Sequence, residues 1–234
     1  MTATARAKIA AAAERPDWSL EAELWARGFS PVAGVDEAGR GALAGPVVAA
    51  AVILPVGGHP YRDSKTLPAE RREELARQVR AEALAWGVGM AEPAEIDAFN
   101  VLRATHLAAA RALVQLRLRL APAGLVTDYL WLDDDAEVVA VARADSRSFQ
   151  AAAAGVLAKV ERDALMAGLA DTHPGYEFER NKGYGAPAHL SALDAIGPCE
   201  VHRMTFRPLR AAAATGEAVL KAVEQADLPA VRAG

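Results

Sequence analysis

Val32-Ala33-Gly34-Val35-Asp36-Glu37-Ala38-Gly39-Arg40-Gly41 is the stretch that decides how this chain is read. It lies between two apolar runs, Val32 to Val35 and Val47 to Leu54. Two adjacent carboxylates at the end of an apolar strand carry a desolvation cost unless something cationic neutralises them. A divalent metal is the usual answer, because Mg²⁺ takes a few carboxylate oxygens together with water and substrate phosphate. The Gly39-Arg40-Gly41 that follows allows close backbone approach to a ligand and adds a guanidinium suited to phosphate. The same residues also suit a plain charged β-turn between two hairpin strands, since glycines and acids crowd turns.

Working outward, 234 residues make one large domain, or one domain with a helical appendage. A hydrophobic fraction of 52% supports a real core. The net charge of -4 supplies no global positive field, so a polyanion must be held by local cations or metals. Cys199 is the only cysteine, which excludes an internal disulfide and argues against a cysteine-based zinc site. This fits a reducing cytoplasm. Gly41 to Gly58 carries no charge and approaches membrane-span length, but Pro46, Pro55 and the glycines favour a buried strand, so no membrane is expected.

Hydrophobic periodicity predicts a helical lead-in over 1–30 with Trp18, Leu20, Leu24 and Trp25 facing inward. Strands follow at 32–36 and 47–54, joined by a short turn and therefore antiparallel. A helix from Pro68 to about Ala85 precedes a strand at 86–91. Asn100 caps a long helix to about Leu120. Strands at 124–127 and 138–142 end near Asp128 and Asp145. A long helix then runs from Ser148 to about Leu169, a loop over 172–185, a short helix over 187–196, a basic irregular segment over 202–210 and a last helix over 217–225. This order predicts a mixed α/β sheet opened by an antiparallel hairpin.

Three strands thus end in acid, at Asp36-Glu37, Asp128 and Asp145. Sites in open α/β sheets form outside the carboxyl ends of strands, so these acids are candidates for one cluster. Clustered carboxylates repel and recruit cations, and two divalent ions suit in-line phosphoryl transfer. Each acid is equally placed to cap the next helix, Asp145 above all. Asp133-Asp134-Asp135 follows no clean strand and reads as a solvated loop. His106 reads as a packing residue, His189 as structural, and His202 as a candidate phosphate contact.

Together these motifs resemble ribonuclease HII, the type 2 ribonucleases H. The resemblance spans about residues 20 to 210. It rests on 32–41, on Asp63-Ser64-Lys65, on Ala144-Asp145-Ser146, on Leu157 to Asp163, on Lys182-Gly183-Tyr184 and on His202 to Pro208. It implies a ribonuclease H-like mixed five-stranded sheet flanked by helices, with a helical C-terminal extension. The implied domains are a lead-in at 1–30, a catalytic domain at 31–200, and a basic segment with a C-terminal helix at 201–234.

The resemblance further implies that Asp36, Glu37, Asp128 and Asp145 are the catalytic, metal-binding carboxylates, holding two Mg²⁺ or Mn²⁺ ions. Gly39, Arg40, Gly41, Ser64, Lys65, Lys182, Tyr184, Arg203 and Arg207 are the implied substrate contacts, and Lys159 is a further candidate cation. The implied activity is endonucleolytic cleavage of the RNA strand of RNA–DNA hybrids, and of single ribonucleotides embedded in duplex DNA. It would leave 5′-phosphate and 3′-hydroxyl ends and serve DNA replication and repair. The expected enzyme is monomeric and cytoplasmic. The alternatives are an inactive nucleic-acid-binding module or a DNA-directed nuclease on the same fold. Four positions depart from the family pattern. Tyr129 stands where glycine is usual, Gly155 where serine is common, Asn181 where histidine is frequent, and Ala186 in place of a threonine.

Overall fold

The computed structural model describes residues 15–62, 64 and 67–210. The candidate residues Asp63 and Lys65 lie outside that set, as do residues 1–14 of the lead-in and the expected helix over 217–225. The elements are α1 (Ser19–Ala26), β1 (Val32–Ala38), β2 (Val47–Ile53), α2 (Ala69–Glu82), β3 (Ala85–Ala91), α3 (Pro93–Phe99), α4 (Val101–Arg117), β4 (Gly124–Asp128), β5 (Glu137–Val141), α5 (Phe149–Thr172), α6 (Phe178–Asn181) and α7 (Pro187–Ile196). The strands form one sheet in the order β3-β2-β1-β4-β5. β1 runs antiparallel to β2 and parallel to β4, and β4 runs parallel to β5. The expected mixed five-stranded sheet, with its opening antiparallel hairpin, is what the chain forms.

By contacts the chain divides into two compact units that do not follow chain order. The first contains residues up to 38, 48–90 and 105–162; the second contains 39–47, 91–104 and 163 onward. In the first unit every residue of β2 is buried, as a central strand covered on both faces should be. Its core joins Val52, Leu54, Leu75, Val79, Val156 and Leu157, and small residues of α5 line the sheet. Gly34 permits this. A Cβ there would sit 2.5 Å from the Gln150 carbonyl oxygen and closer still to the Gln150 carbonyl carbon and the Ala151 nitrogen. Gln150, itself buried, ties helix to sheet: Leu54 N–H donates to its Oε1 at 2.7 Å, and its Nε2 donates to the Val32 carbonyl at 2.7 Å.

The helix signals in the sequence correspond to visible caps. Asn100 Oδ1 accepts from Leu102 and Arg103 N–H at 3.0 and 3.1 Å, opening α4. α3 was not delimited from the sequence. It starts on a capping box between Glu92 and Glu95 with Pro93 in its first turn. The 172–185 segment, expected as loop, contains the single turn α6. The second unit has its own core of Ala44, Met166, Tyr176 and Phe178.

Candidate active site

In the first unit, β1 delivers Asp36 and Glu37, and β4 ends on Asp128. Asp145 lies in a short 3₁₀ turn, Ala144–Ser146, just after β5. Asp128 helps to place Asp145: its Oδ1 accepts from Arg143 N–H at 2.6 Å and from Ala144 N–H at 3.4 Å, fixing the turn. The cap of α5 is Ser148, whose Oγ accepts from Ala151 N–H at 3.0 Å. The capping role that the sequence left open for Asp145 therefore falls to Ser148.

Asp36 and Asp145 are buried, at 7% and 6% exposure, and Glu37 is half-buried. Glu37 N–H donates to Asp36 Oδ1 at 2.8 Å. Burial pushes the Asp36 carboxyl well above the usual carboxylate range. The charges of Glu37, Asp145 and Asp128 push it the same way, and the Glu37 amide opposes them. The other three acids are thus close enough to raise the cost of charging Asp36. A hard, all-oxygen donor set that resists its own ionisation fits Mg²⁺ or Mn²⁺. Gly155 of α5 provides the space for the Asp36 carboxylate, since a Cβ at that position would overlap Asp36 Oδ2.

In the second unit, Gly39 takes φ +96 and turns the chain, leaving Arg40 and Gly41 exposed. The segment after them is strapped at both sides. Leu43 and Ala44 N–H donate to the Gly183 carbonyl at 2.7 and 3.2 Å, and Arg203 N–H donates to the Leu43 carbonyl at 2.8 Å. Gly183, at φ +77, has no room for a Cβ, which would meet the Ala44 carbonyl oxygen at 2.5 Å. Lys182 is half-buried in a left-handed conformation, and Tyr184 is 37% exposed. Asn181 holds this turn: its Nδ2 donates to the Tyr176 carbonyl at 2.6 Å, and its Oδ1 accepts from Gly183 N–H at 2.8 Å.

One expected contact, Arg203, and one lesser candidate, His202, lie inside the fold. Arg203 is fully buried. Its Nε and one terminal nitrogen donate to the Gly45 carbonyl at 2.9 and 2.8 Å, and the other donates to the Arg40 carbonyl at 3.0 Å. It braces the Gly39–Gly41 turn from behind and presents no guanidinium to a phosphate. His202 is also buried, at 2% exposure, and packs against His189. Arg207 is exposed, as a phosphate contact would be, whereas Ser64 is buried at 7%. Among the described residues, the donor atoms that lie within 4.8 Å of one another as a group of three or more are those of His173, Cys199 and Glu200 in the second unit. A single cysteine gave no reason to look for them. His173 Nε2 and Glu200 Oε1 already lie within hydrogen-bond distance, at 2.9 Å.

The sheet order β3-β2-β1-β4-β5 with its opening antiparallel pair is that of a ribonuclease H-like fold. The family model for ribonuclease HII matches residues 33–208. A ribonuclease HII of Thermus thermophilus is 53% identical over 190 residues, covering 81% of this chain and 92% of the relative. One of Paracoccus denitrificans is 48% identical over 198 residues, covering 83% and 93%. The chain belongs to the ribonuclease HII family and is a phosphodiester hydrolase with ribonuclease H activity. Solved structures agree on the fold. The ribonuclease H2 of Pyrococcus horikoshii superposes with a TM-score of 0.65 at 24% identity, over 80% of this chain and 98% of that one. The ribonuclease HII of Archaeoglobus fulgidus, solved in complex with PCNA, gives 0.62 at 25% identity, over 75% and 95%. No helix among the described residues is long and apolar enough to cross a membrane.

Proposed function

We propose that this enzyme cuts the RNA strand of RNA–DNA hybrids and cuts at single ribonucleotides embedded in duplex DNA, leaving 5′-phosphate and 3′-hydroxyl ends. The observation that carries this reading is the buried Asp36 carboxyl, held among Glu37, Asp145 and Asp128. Asp36, Glu37, Asp128 and Asp145 would hold two divalent ions. Such a pair supplies charge neutralisation at the scissile phosphate and at both the attacking and leaving oxygens. The chain's own part is to keep four carboxylate groups aimed before substrate arrives, which lowers the reorganisation the reaction needs.

The 2′-hydroxyl is the one mark that separates ribose from deoxyribose, so it must be read directly. The exposed Gly41 backbone can approach it, since no side chain of the protein fills the space a Cβ would take there. Arg40, Lys182 and Arg207 would contact phosphates, with Tyr184 stacking near the sugar. This specificity suits removal of ribonucleotides from DNA in the cytoplasm by a monomer.

The test is a labelled DNA duplex carrying one ribonucleotide, beside a continuous hybrid and an all-DNA duplex, each with Mg²⁺, with Mn²⁺ and with chelator. Metal-dependent cleavage of the first two only is expected. Cleavage of the all-DNA duplex would indicate a DNA-directed nuclease, and binding without cleavage an inactive module.

A further inference from the structure

Tyr184 is held from inside the second unit by a chain of hydrogen bonds through two imidazoles. Its carbonyl oxygen accepts from Ala186 N–H at 2.7 Å and faces His189 Nδ1 at 2.9 Å. His189 Nε2 lies 3.0 Å from His202 Nε2. His202 Nδ1 lies 3.0 Å from the Cys199 amide nitrogen and 3.2 Å from Cys199 Sγ. His189 is fully buried and His202 is 2% exposed.

The outer partners fix where the protons sit. A carbonyl only accepts, so His189 Nδ1 carries hydrogen and its Nε2 is a lone pair. His189 Nε2 then faces a donor, so His202 Nε2 carries hydrogen and its Nδ1 is a lone pair, accepting from Cys199 N–H at 3.0 Å, while the Cys199 carbonyl oxygen lies farther from that nitrogen, at 3.3 Å. The Tyr184 carbonyl fixes the first ring and the Cys199 amide is consistent with the second, which leaves one proton between the two Nε2 atoms. His202 Nε2–H therefore donates to His189 Nε2. Charging either ring would set two donors face to face at 3.0 Å in a buried site. Burial pulls both imidazoles below the usual histidine range, His202 to about 4; the charges of His189 and His173 push His202 the same way, while the Cys199 backbone and Glu200 oppose this for His202 and the Tyr184 carbonyl opposes it for His189.

We propose that His202 and His189 form a two-imidazole relay that fixes the Tyr184 carbonyl, and that they are positioning residues for substrate choice. The inference rests on the proposed reading of Tyr184 as a sugar-stacking residue. A ring that stacks on one nucleotide must start from a fixed backbone, and the relay supplies one otherwise weak point of a short turn with a bond from the interior.

Two substitutions at one position separate the bonds. His189→Asn keeps an amide near the place of Nδ1, able to donate to Tyr184, and loses the acceptor for His202. His189→Gln keeps an acceptor near Nε2 and loses the donor to Tyr184. The quantity read is the ratio of kcat/KM on an embedded ribonucleotide to that on a continuous hybrid, with Tyr184→Ala measured alongside. His189→Gln should lower the ratio about five- to tenfold, the size of one hydrogen bond. His189→Asn should keep it within about threefold of wild type on the same scale.

Nitrogen-15 imidazole spectra of the wild-type protein give a readout independent of activity and of variant folding. Protonated Nδ1 on His189 and protonated Nε2 on His202 are expected. The opposite tautomers, or a ratio that His189→Gln leaves unchanged while Tyr184→Ala lowers it, would overturn the relay and spare the Tyr184 reading. A ratio that Tyr184→Ala leaves unchanged overturns the Tyr184 reading and with it the positioning role, whatever the spectra show of the protons.

Discussion

Gly34→Ala tests whether the spacing between β1 and α5 sets the site. The added Cβ would lie 2.1 Å from the Gln150 carbonyl carbon, where ordinary contact begins at 3.4 Å, so the helix must retreat by more than about 1 Å. The obstacle is backbone, which cannot rotate aside as a side chain would. Overpacking a core costs about 1–3 kcal/mol, and a rigid neighbour places this case near about 3. For a chain of this size that lowers the melting temperature by about 6–12 °C. The same retreat moves Gly155, whose missing Cβ makes room for the Asp36 carboxylate. A misplacement of that size at a reacting group costs about a hundredfold in kcat. Thermal melts in chelator read the first effect, and single-turnover cleavage of an embedded ribonucleotide reads the second. A melt within about 2 °C of wild type, less than 1 kcal/mol of stability, with unchanged cleavage would refute the claim that Gly34 is needed for the approach of α5.

Asp36→Asn should reduce cleavage by more than about tenfold, above 1.4 kcal/mol of barrier, with duplex binding retained. It should not lower the melting temperature in chelator at pH 8, because it removes a carboxyl whose charge the site opposes; a lower melt there would show that Asp36 is stabilising when charged. Glu21 is fully buried, with Oε1 accepting from Ser148 Oγ and Gln150 N–H, and burial raises its carboxyl above the usual range. An acid raised in the folded state stabilises below its unfolded value and loses that contribution as pH rises through the folded one. Glu21→Gln should therefore melt above wild type at pH 8, with the gap closing by pH 4, as paired melts across pH will show. Tyr129 sits at φ +55, where a side chain costs about 1–2 kcal/mol. Tyr129→Gly should raise stability by up to about 1 kcal/mol after the entropy of glycine is set against that relief, read by denaturant midpoint.

The sheet was legible because β1 and β2 are uninterrupted apolar runs around a turn, and α4 because Asn100 announces its start. α3 escaped because its capping box uses Glu92 where serine or threonine gives the clearer signal. The places of Asp36, Glu37 and Asp128 at strand ends, and of Asp145 just past β5, were legible from the apolar runs before them. Tyr129 was noticed only as a departure from the family pattern, and its left-handed backbone explains why glycine suits that place. The roles of Arg203 and His202 were hidden for a different reason. A cation in a basic run reads as surface, and nothing local shows that Arg203 serves carbonyls more than 150 residues upstream. His189 and His202 are 13 residues apart, and their pairing depends on the turn between them.

Arg203 closes onto a carbonyl 158 residues earlier in the chain. Ribosomes add roughly 5–20 residues per second, so the Gly39–Gly45 segment emerges roughly 8–30 seconds before its brace exists. During that interval the turn that precedes Gly45 lacks the Arg203, Leu43 and Gly183 bonds that later hold it. Contacts that span so much sequence also form slowly in a finished chain, because loop closure comes before any reward. A nascent chain can thus fold β1 and β2 early while the Gly39–Gly41 turn waits for nearly the last of the described residues. The bracing of this turn is in this way tied to the late part of synthesis, and a chain truncated before Arg203 would carry Asp36 and Glu37 without a braced turn beside them in sequence.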